Sequence, residues 1–151
     1  MMNLEKSKIS ASIKLRPRYG EVDQMGYVYH ANYVSYCHQA RTELLREIGI
    51  NDKVLEEQNI MLPVISMNLR YLKPVRYDEL IMVKTYIEEE PCTRFSFRFE
   101  IINEKNELVC TATSETAFVN SMSRKPMRAP AIVINAIAKK TASDFHGQTQ
   151  S

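Results

Sequence analysis

Asp23 and His30 stand seven residues apart on a polar loop, with Gly26 between them, directly ahead of a stretch that reads as a helix. A carboxylate in that position suits acyl chemistry. The first turn of a helix carries unpaired N–H groups and partial positive charge, so a carbonyl oxygen gaining negative charge there is stabilised without a charged side chain. A nearby carboxylate then attacks the carbonyl carbon or directs a water at it. The plain alternative for Asp23 is an Asx-turn, the usual role of an isolated aspartate before a helix. His30 offers either its backbone N–H to the oxyanion or its imidazole to water or substrate, and the N–H of Tyr29 is a second oxyanion donor. Gly26 carries no chemistry but lets a substrate approach the backbone closely. Tyr19, at the start of the loop, serves either the site or rim packing.

These residues need a rigid element behind them, and residues 32–48 supply its pattern. Tyr33, Cys37, Ala40, Leu44 and Ile48 recur at three- and four-residue steps, with Tyr36 beside them, while Gln39, Arg41, Glu43, Arg46 and Glu47 fall on the other side. Asn32 reads as the N-cap and Gly49 as the residue just past the C-terminus. Such a stripe must lie against a large apolar surface, and the rest of the chain provides strands for it. Residues 9–16, 64–71, 79–88, 95–101 and 108–119 alternate apolar and polar side chains with period two. A short helix over residues 51–58, capped by Asn51 or Asp52, and another over residues 130–140, with Pro130 at its first position, complete the expected elements. Residues 141–151 read as a disordered tail, which leaves one domain over residues 1–140. The fold class is α+β: an antiparallel sheet wrapped around one long central helix.

Composition narrows the function. Of the 151 residues 44% are apolar or aromatic and 25% charged, enough for one real core. Twenty Lys and Arg against 18 Asp and Glu leave a net charge of +2, which argues for no nucleic-acid partner. Cys37, Cys92 and Cys110 are odd in number and lack metal-ligand spacing, the pattern of a reducing compartment. No apolar run is long enough for a membrane span or signal peptide, so the expected location is cytoplasmic.

Tyr19, Glu21, Asp23, Gly26, Val28, His30, Asn32, Tyr33, Ala40, Arg41 and Glu43 together resemble the signature of the hotdog-fold acyl-CoA thioesterases, in their 4-hydroxybenzoyl-CoA thioesterase-like branch. The likeness is greatest to the bacterial acyl-CoA thioesterases associated with the Tol–Pal system. Leu69, Arg70, Tyr71, Pro74, Val75, Tyr77, Asp78 and Leu80 resemble a second family segment. The resemblance implies a hotdog fold, an acyl-CoA substrate hydrolysed to free acid and CoA, no metal or redox cofactor, and a homodimer or homotetramer whose protomers join edge to edge. It implies that Asp23 is the catalytic carboxylate, as nucleophile or general base, with His30 and Tyr19 beside it. Gly26, Val28 and Tyr29 then belong to the substrate-binding loop, and Arg94 leads Arg70 and Lys73 as contacts for CoA phosphates. Met25, Met61, Leu62, Met67 and Phe97 line an acyl tunnel or are ordinary core. Many members carry Glu where His38 stands, so a helix carboxylate is missing here and Asp23 bears the chemistry alone. Two other readings share the fold: a 3-hydroxyacyl thioester hydratase or dehydratase using His30 and Glu43, and a non-catalytic acyl-CoA-binding module.

Overall fold

A computed structural model describes residues 9–150, with side chains over residues 9–143. Its long helix, α1 (Asn32–Glu47), buries Tyr33, Tyr36, Cys37, Ala40, Leu44 and Leu45, the stripe that the spacing predicts. Arg41 is buried with them rather than on the polar side. The helix ends as Gly49 directs: at φ +87 it places its own N–H on the Arg46 carbonyl and the Ile50 N–H on the Leu45 carbonyl, at 3.1 and 2.9 Å. Those two bonds are the Schellman pattern, which closes the last turn. The start differs from expectation. Ala31 occupies the cap with helical backbone angles and no capping side chain, and the Asn32 amide instead donates to the Glu21 carbonyl at 2.9 Å. A tertiary partner has taken the side chain that local propensity assigns to the cap.

Strands β1 (Ile9–Leu15), β4 (Ile81–Ile87), β5 (Arg94–Asn103) and β6 (Leu108–Asn120) run in that spatial order, all antiparallel. The strands β2 (Ile60–Met61), β3 (Val64–Tyr71) and β7 (Pro126–Met127) each pair with β6. Alternation decides the faces. Val83, Phe95, Phe97, Phe99, Ile101 and Phe118 are buried on the side that α1 fills, while Lys84, Arg98, Glu100, Thr113 and Glu115 point away. The result is the expected hotdog arrangement, one sheet curled around one helix. Fully burying a side chain of the size of Leu44 or Phe99 contributes about 1.5–3 kcal/mol, so this interface carries most of the fold.

The sheet's edges are unequal. On β3, Val64, Ile65 and Tyr71 are 52%, 49% and 46% exposed, an apolar edge with its outer backbone groups unpaired by any described strand. The short helix α2 (Asp52–Glu57) is capped by Asn51, whose side chain accepts from the Val54 N–H at 3.0 Å. Helix α3 (Ala131–Gln150) starts one residue later than expected and continues past Lys140, through the segment read as a tail; no proline interrupts it there. No helix among the described residues is long and apolar enough to cross a membrane.

Candidate active site

Asp23 sits at the tip of a small hairpin. Val22 pairs with Val28, the Asp23 N–H donates to the Tyr27 carbonyl at 2.8 Å, and the Tyr29 N–H donates to the Glu21 carbonyl at 2.9 Å. Gly26 closes the tip in the left-handed region at φ +83, as a glycine bulge ending a short hairpin loop requires. The hairpin is fixed from behind: Val28, buried, donates to the Val75 carbonyl at 2.8 Å, and the Tyr77 N–H donates to the Gly26 carbonyl at 3.2 Å.

Within this frame the Asp23 carboxylate makes the Asx-turn of the plain reading. Its Oδ1 accepts from the Met25 N–H at 2.9 Å and the Tyr27 N–H at 3.1 Å. The other oxygen, Oδ2, has no partner among the described residues and is open to solvent. The turn therefore orients one oxygen and leaves the second free, and the two readings of Asp23 are compatible.

The amides before α1 sort themselves in the same way. Tyr29, expected as an oxyanion donor, has given its N–H to Glu21, so it is excluded. The N–H groups of His30 and Ala31 have no acceptor among the described residues. The free N–H of Ala31 is one that sequence reasoning did not single out, because only the tertiary bond at Glu21 distinguishes the two neighbours. The His30 peptide is pinned by its carbonyl, which accepts from the Tyr33 N–H at 3.2 Å and the Tyr71 hydroxyl at 3.1 Å. The His30 ring is exposed and stands among aromatic edges, 4.5 Å from Tyr29 and 6.1 Å from Tyr71. Three residue steps of hairpin separate the Asp23 and His30 levels, about 10 Å of backbone.

Glu21 holds hairpin and helix together. Its Oε1 accepts from the Arg18 N–H and the Tyr36 hydroxyl, both at 2.8 Å, while its carbonyl takes Tyr29 and Asn32. Burial, and then this bond to a carboxylate, raise the pKa of the Tyr36 hydroxyl. Tyr33 is pushed up to about 12, chiefly by burial. Both remain neutral donors at physiological pH. Tyr19 is 80% exposed and meets Tyr77 edge-on at 5.7 Å, the rim position of the alternative reading.

The cationic candidates are not gathered in the same place. Arg94 begins β5, whereas the loop lies beyond the Asn103 end, where β4 starts opposite it at Ile81. Nine steps of strand put the two about 30 Å apart. Arg70 projects from the outer face of β3, with Thr111 opposite it, away from α1. Lys73 pairs with Glu107 at 2.6 Å, and that contact lowers the Glu107 pKa. Glu43 is bonded to Arg46 on the helix surface, eleven residues past Asn32 and so about 16 Å along the axis, which separates it from His30. Among the described residues no group of three His, Cys, Asp or Glu side chains is placed to hold a metal.

Known proteins share this framework. Residues 17–137 match the family described as the thioesterase-like superfamily. YneP of Bacillus subtilis (strain 168) is 36% identical over 115 residues, which cover 76% of this chain and 83% of that protein. The acyl-CoA thioester hydrolase YbgC of Escherichia coli O6:H1 is 30% identical over 120 residues, 80% of this chain and 90% of that protein. Among solved structures, a DHNA-CoA thioesterase from Staphylococcus aureus is similar with a TM-score of 0.81 and 31% identity, covering 91% of this chain and 95% of that one.

Proposed function

The chain belongs to the thioesterase-like superfamily and is an acyl-CoA thioester hydrolase, and from that premise we propose that Asp23 is its reacting carboxylate and that the His30 and Ala31 amides hold the oxyanion. The observation that supports this most directly is the division of labour at Asp23: Oδ1 is tied to Met25 and Tyr27, while Oδ2 is free on the same hairpin that ends in two unpaired N–H groups. The thioester carbonyl oxygen accepts from those amides as negative charge develops on it, which is worth about 2.7–4 kcal/mol of barrier per donor in acyl-transfer enzymes. Either Oδ2 attacks the carbonyl carbon, the C–S bond breaks to release CoA, and water hydrolyses the resulting anhydride, or Asp23 takes a proton from a water that attacks directly. Both routes convert thioester and water into carboxylic acid and CoA thiol.

The working enzyme on this reading is a dimer formed along β3. Two copies of β3 paired antiparallel about a twofold axis cover the exposed Val64–Tyr71 edge. The same operation brings the partner's Arg94 end of the sheet to the side of this chain's Asp23 loop. Arg94 and Asp23, about 30 Å apart within one sheet, are thereby brought to one side of the assembly, where a long CoA molecule can reach both. Sedimentation that returns a monomer at assay concentration would remove this part of the reading.

The test of the activity is a panel of short, long and aromatic acyl-CoAs, with free thiol read by a thiol-reactive dye. Release of CoA is expected. Loss of crotonyl-CoA absorbance without thiol release would favour the hydratase, and saturable binding with neither signal the binding module. The hydratase reading lacks its geometry, since Glu43 is paired with Arg46 and lies far along the helix from His30.

A further inference from the structure

Arg41 is placed as few arginines are. Only 9% of its surface is exposed, its guanidinium lies 5.7 Å from the centre of the Phe97 ring, and its Nη2 donates to His38 Nδ1 at 3.3 Å. Its Nε has no hydrogen-bond partner, and no carboxylate among the described residues forms an ion pair with it. A buried cation without a counter-ion is unfavourable, and proteins normally supply one. Burial lowers the pKa of this guanidinium, and the charge of Asp52 on α2 only partly opposes that.

The guanidinium borders a cavity of about 440 Å³ between α1, α2 and β2. Its ionisable lining is Arg41 and His38 on α1 together with the exposed Asp52 and Glu56 on α2, and Leu45, Leu55, Ile60 and Leu62 are its apolar lining. That volume is in the range of small-molecule sites, which combine apolar walls with a small number of placed polar groups. Arg41 lies ten residues beyond Ala31 on α1, about 15 Å along the helix, so within one chain the cavity is separate from the Asp23 hairpin and shares no residue with it.

We propose that this cavity is a carboxylate site, in which an acid with a short apolar body lies against the leucine and isoleucine wall and its carboxylate supplies the counter-ion that Arg41 lacks. A guanidinium is the side chain best matched to a carboxylate, and the apolar wall selects against inorganic anions. The carboxylate has two sources: a free acid of the class that thioester hydrolysis releases, or the far end of a dicarboxylic acyl group still attached to CoA. The second source rests on the thioesterase reading; the binding site itself does not.

The experiment uses the full chain and reads binding without any thioester. Calorimetry and thermal melting are run at pH 7 and constant ionic strength with sodium hexanoate, hexanamide and phosphate. Hexanoate is expected to bind one site per chain and raise the melting temperature, while hexanamide and phosphate do neither. Arg41→Met should weaken hexanoate by about 10–100-fold, the worth of a charged hydrogen bond. His38→Glu provides an internal carboxylate three residues before Arg41, so it should raise the melting temperature and abolish hexanoate binding even if Arg41→Met folds poorly. Hydrolysis of dodecanedioyl-CoA against dodecanoyl-CoA, chains long enough for the about 15 Å from Ala31 to Arg41, separates the sources: a higher KM for dodecanedioyl-CoA alone in Arg41→Met identifies the dicarboxylic group, and an unchanged ratio the free acid. Absence of hexanoate binding to the natural chain, as when another copy's acidic side chain already fills the guanidinium, overturns the proposal. So does equal binding by His38→Glu. Neither result touches the hydrolysis assay, so the two readings fail separately.

Discussion

Replacing Asp23 separates turn-making from chemistry, because the two roles use different atoms. Asn keeps an Oδ1 that accepts from the Met25 and Tyr27 N–H groups at 2.9 and 3.1 Å, so Asp23→Asn preserves the turn and removes only the ionised character. The site is exposed, and weakening two charge-assisted bonds to neutral ones costs at most about 1 kcal/mol. For a chain of this length that is a fall in Tm of about 2–4 °C. Asp23→Ala removes both bonds, about 1–2 kcal/mol, or about 2–8 °C. Activity should not follow that order. If Asp23 attacks the thioester or activates water, Asn and Ala are equally incompetent, and both lower kcat by about 10²–10⁴, or about 3–5 kcal/mol of barrier. The assay is CoA release from the best acyl-CoA of the panel, with melting curves on the same samples. An Asn variant that retains more than about a tenth of kcat, or a loss confined to Ala and proportional to its Tm, would assign Asp23 to the turn alone and refute the mechanism.

Tyr71→Phe removes the hydroxyl that holds the His30 carbonyl and keeps the ring against Tyr33; a loss of about 1 kcal/mol of positioning, roughly three- to tenfold in kcat with KM little changed, is expected, and unaltered kcat would dismiss the contact. Gly26→Ala should destabilise by about 1–2 kcal/mol, since its φ of +83 is disfavoured for a Cβ-bearing residue even though nothing crowds the position; an unchanged melting curve would contradict this. Cys37 and Cys110 are buried, which pushes their thiols up to about 12 and about 11, whereas Cys92 is exposed, so native protein at pH 8 should titrate one thiol with Ellman's reagent and denatured protein three. Because those two values are raised above the ordinary thiol value of 9.0, their contribution to stability is complete below pH 9 and declines as pH climbs toward about 11 and about 12; a Tm that stays level across that window would contradict the burial.

The sequence carries the fold through two periods. Alternation in β3 to β6 reads directly, since each inward residue has a polar neighbour that is driven outward, and Gly49 marks the helix end because only a left-handed residue makes the Schellman bonds there. Arg41 defeats this logic: a charged residue one position after Ala40 reads as solvent-facing, and only the cavity and the Phe97 ring make room for it inside. Asp23, Gly26, Val28 and His30 were legible as one group because a single hairpin holds them. Which amide is free was not. Tyr29 and Ala31 look alike until the Glu21 carbonyl takes one N–H, and that bond bridges eight residues. Arg94 illustrates the same limit at larger scale, since antiparallel register, invisible in composition, sends it to the far end of the sheet.

Ala31 marks where local stability and reactivity conflict. A Ser, Asp or Asn at a helix cap stabilises by about 1 kcal/mol over Ala, because its side-chain oxygen accepts from the first turn. Such an oxygen would also compete with a substrate carbonyl for the electropositive end of α1. With Ala at the cap and the Asn32 side chain drawn off to Glu21, no side-chain acceptor covers the amides of His30 and Ala31. The start of α1 is held instead by bonds that leave those N–H groups clear: Glu21 to Tyr29, Asn32 and Tyr36, and Tyr71 to the His30 carbonyl. Local rules are broken most readily where function needs the exception, and an uncapped helix braced from its flanks is the exception that the proposed oxyanion site requires.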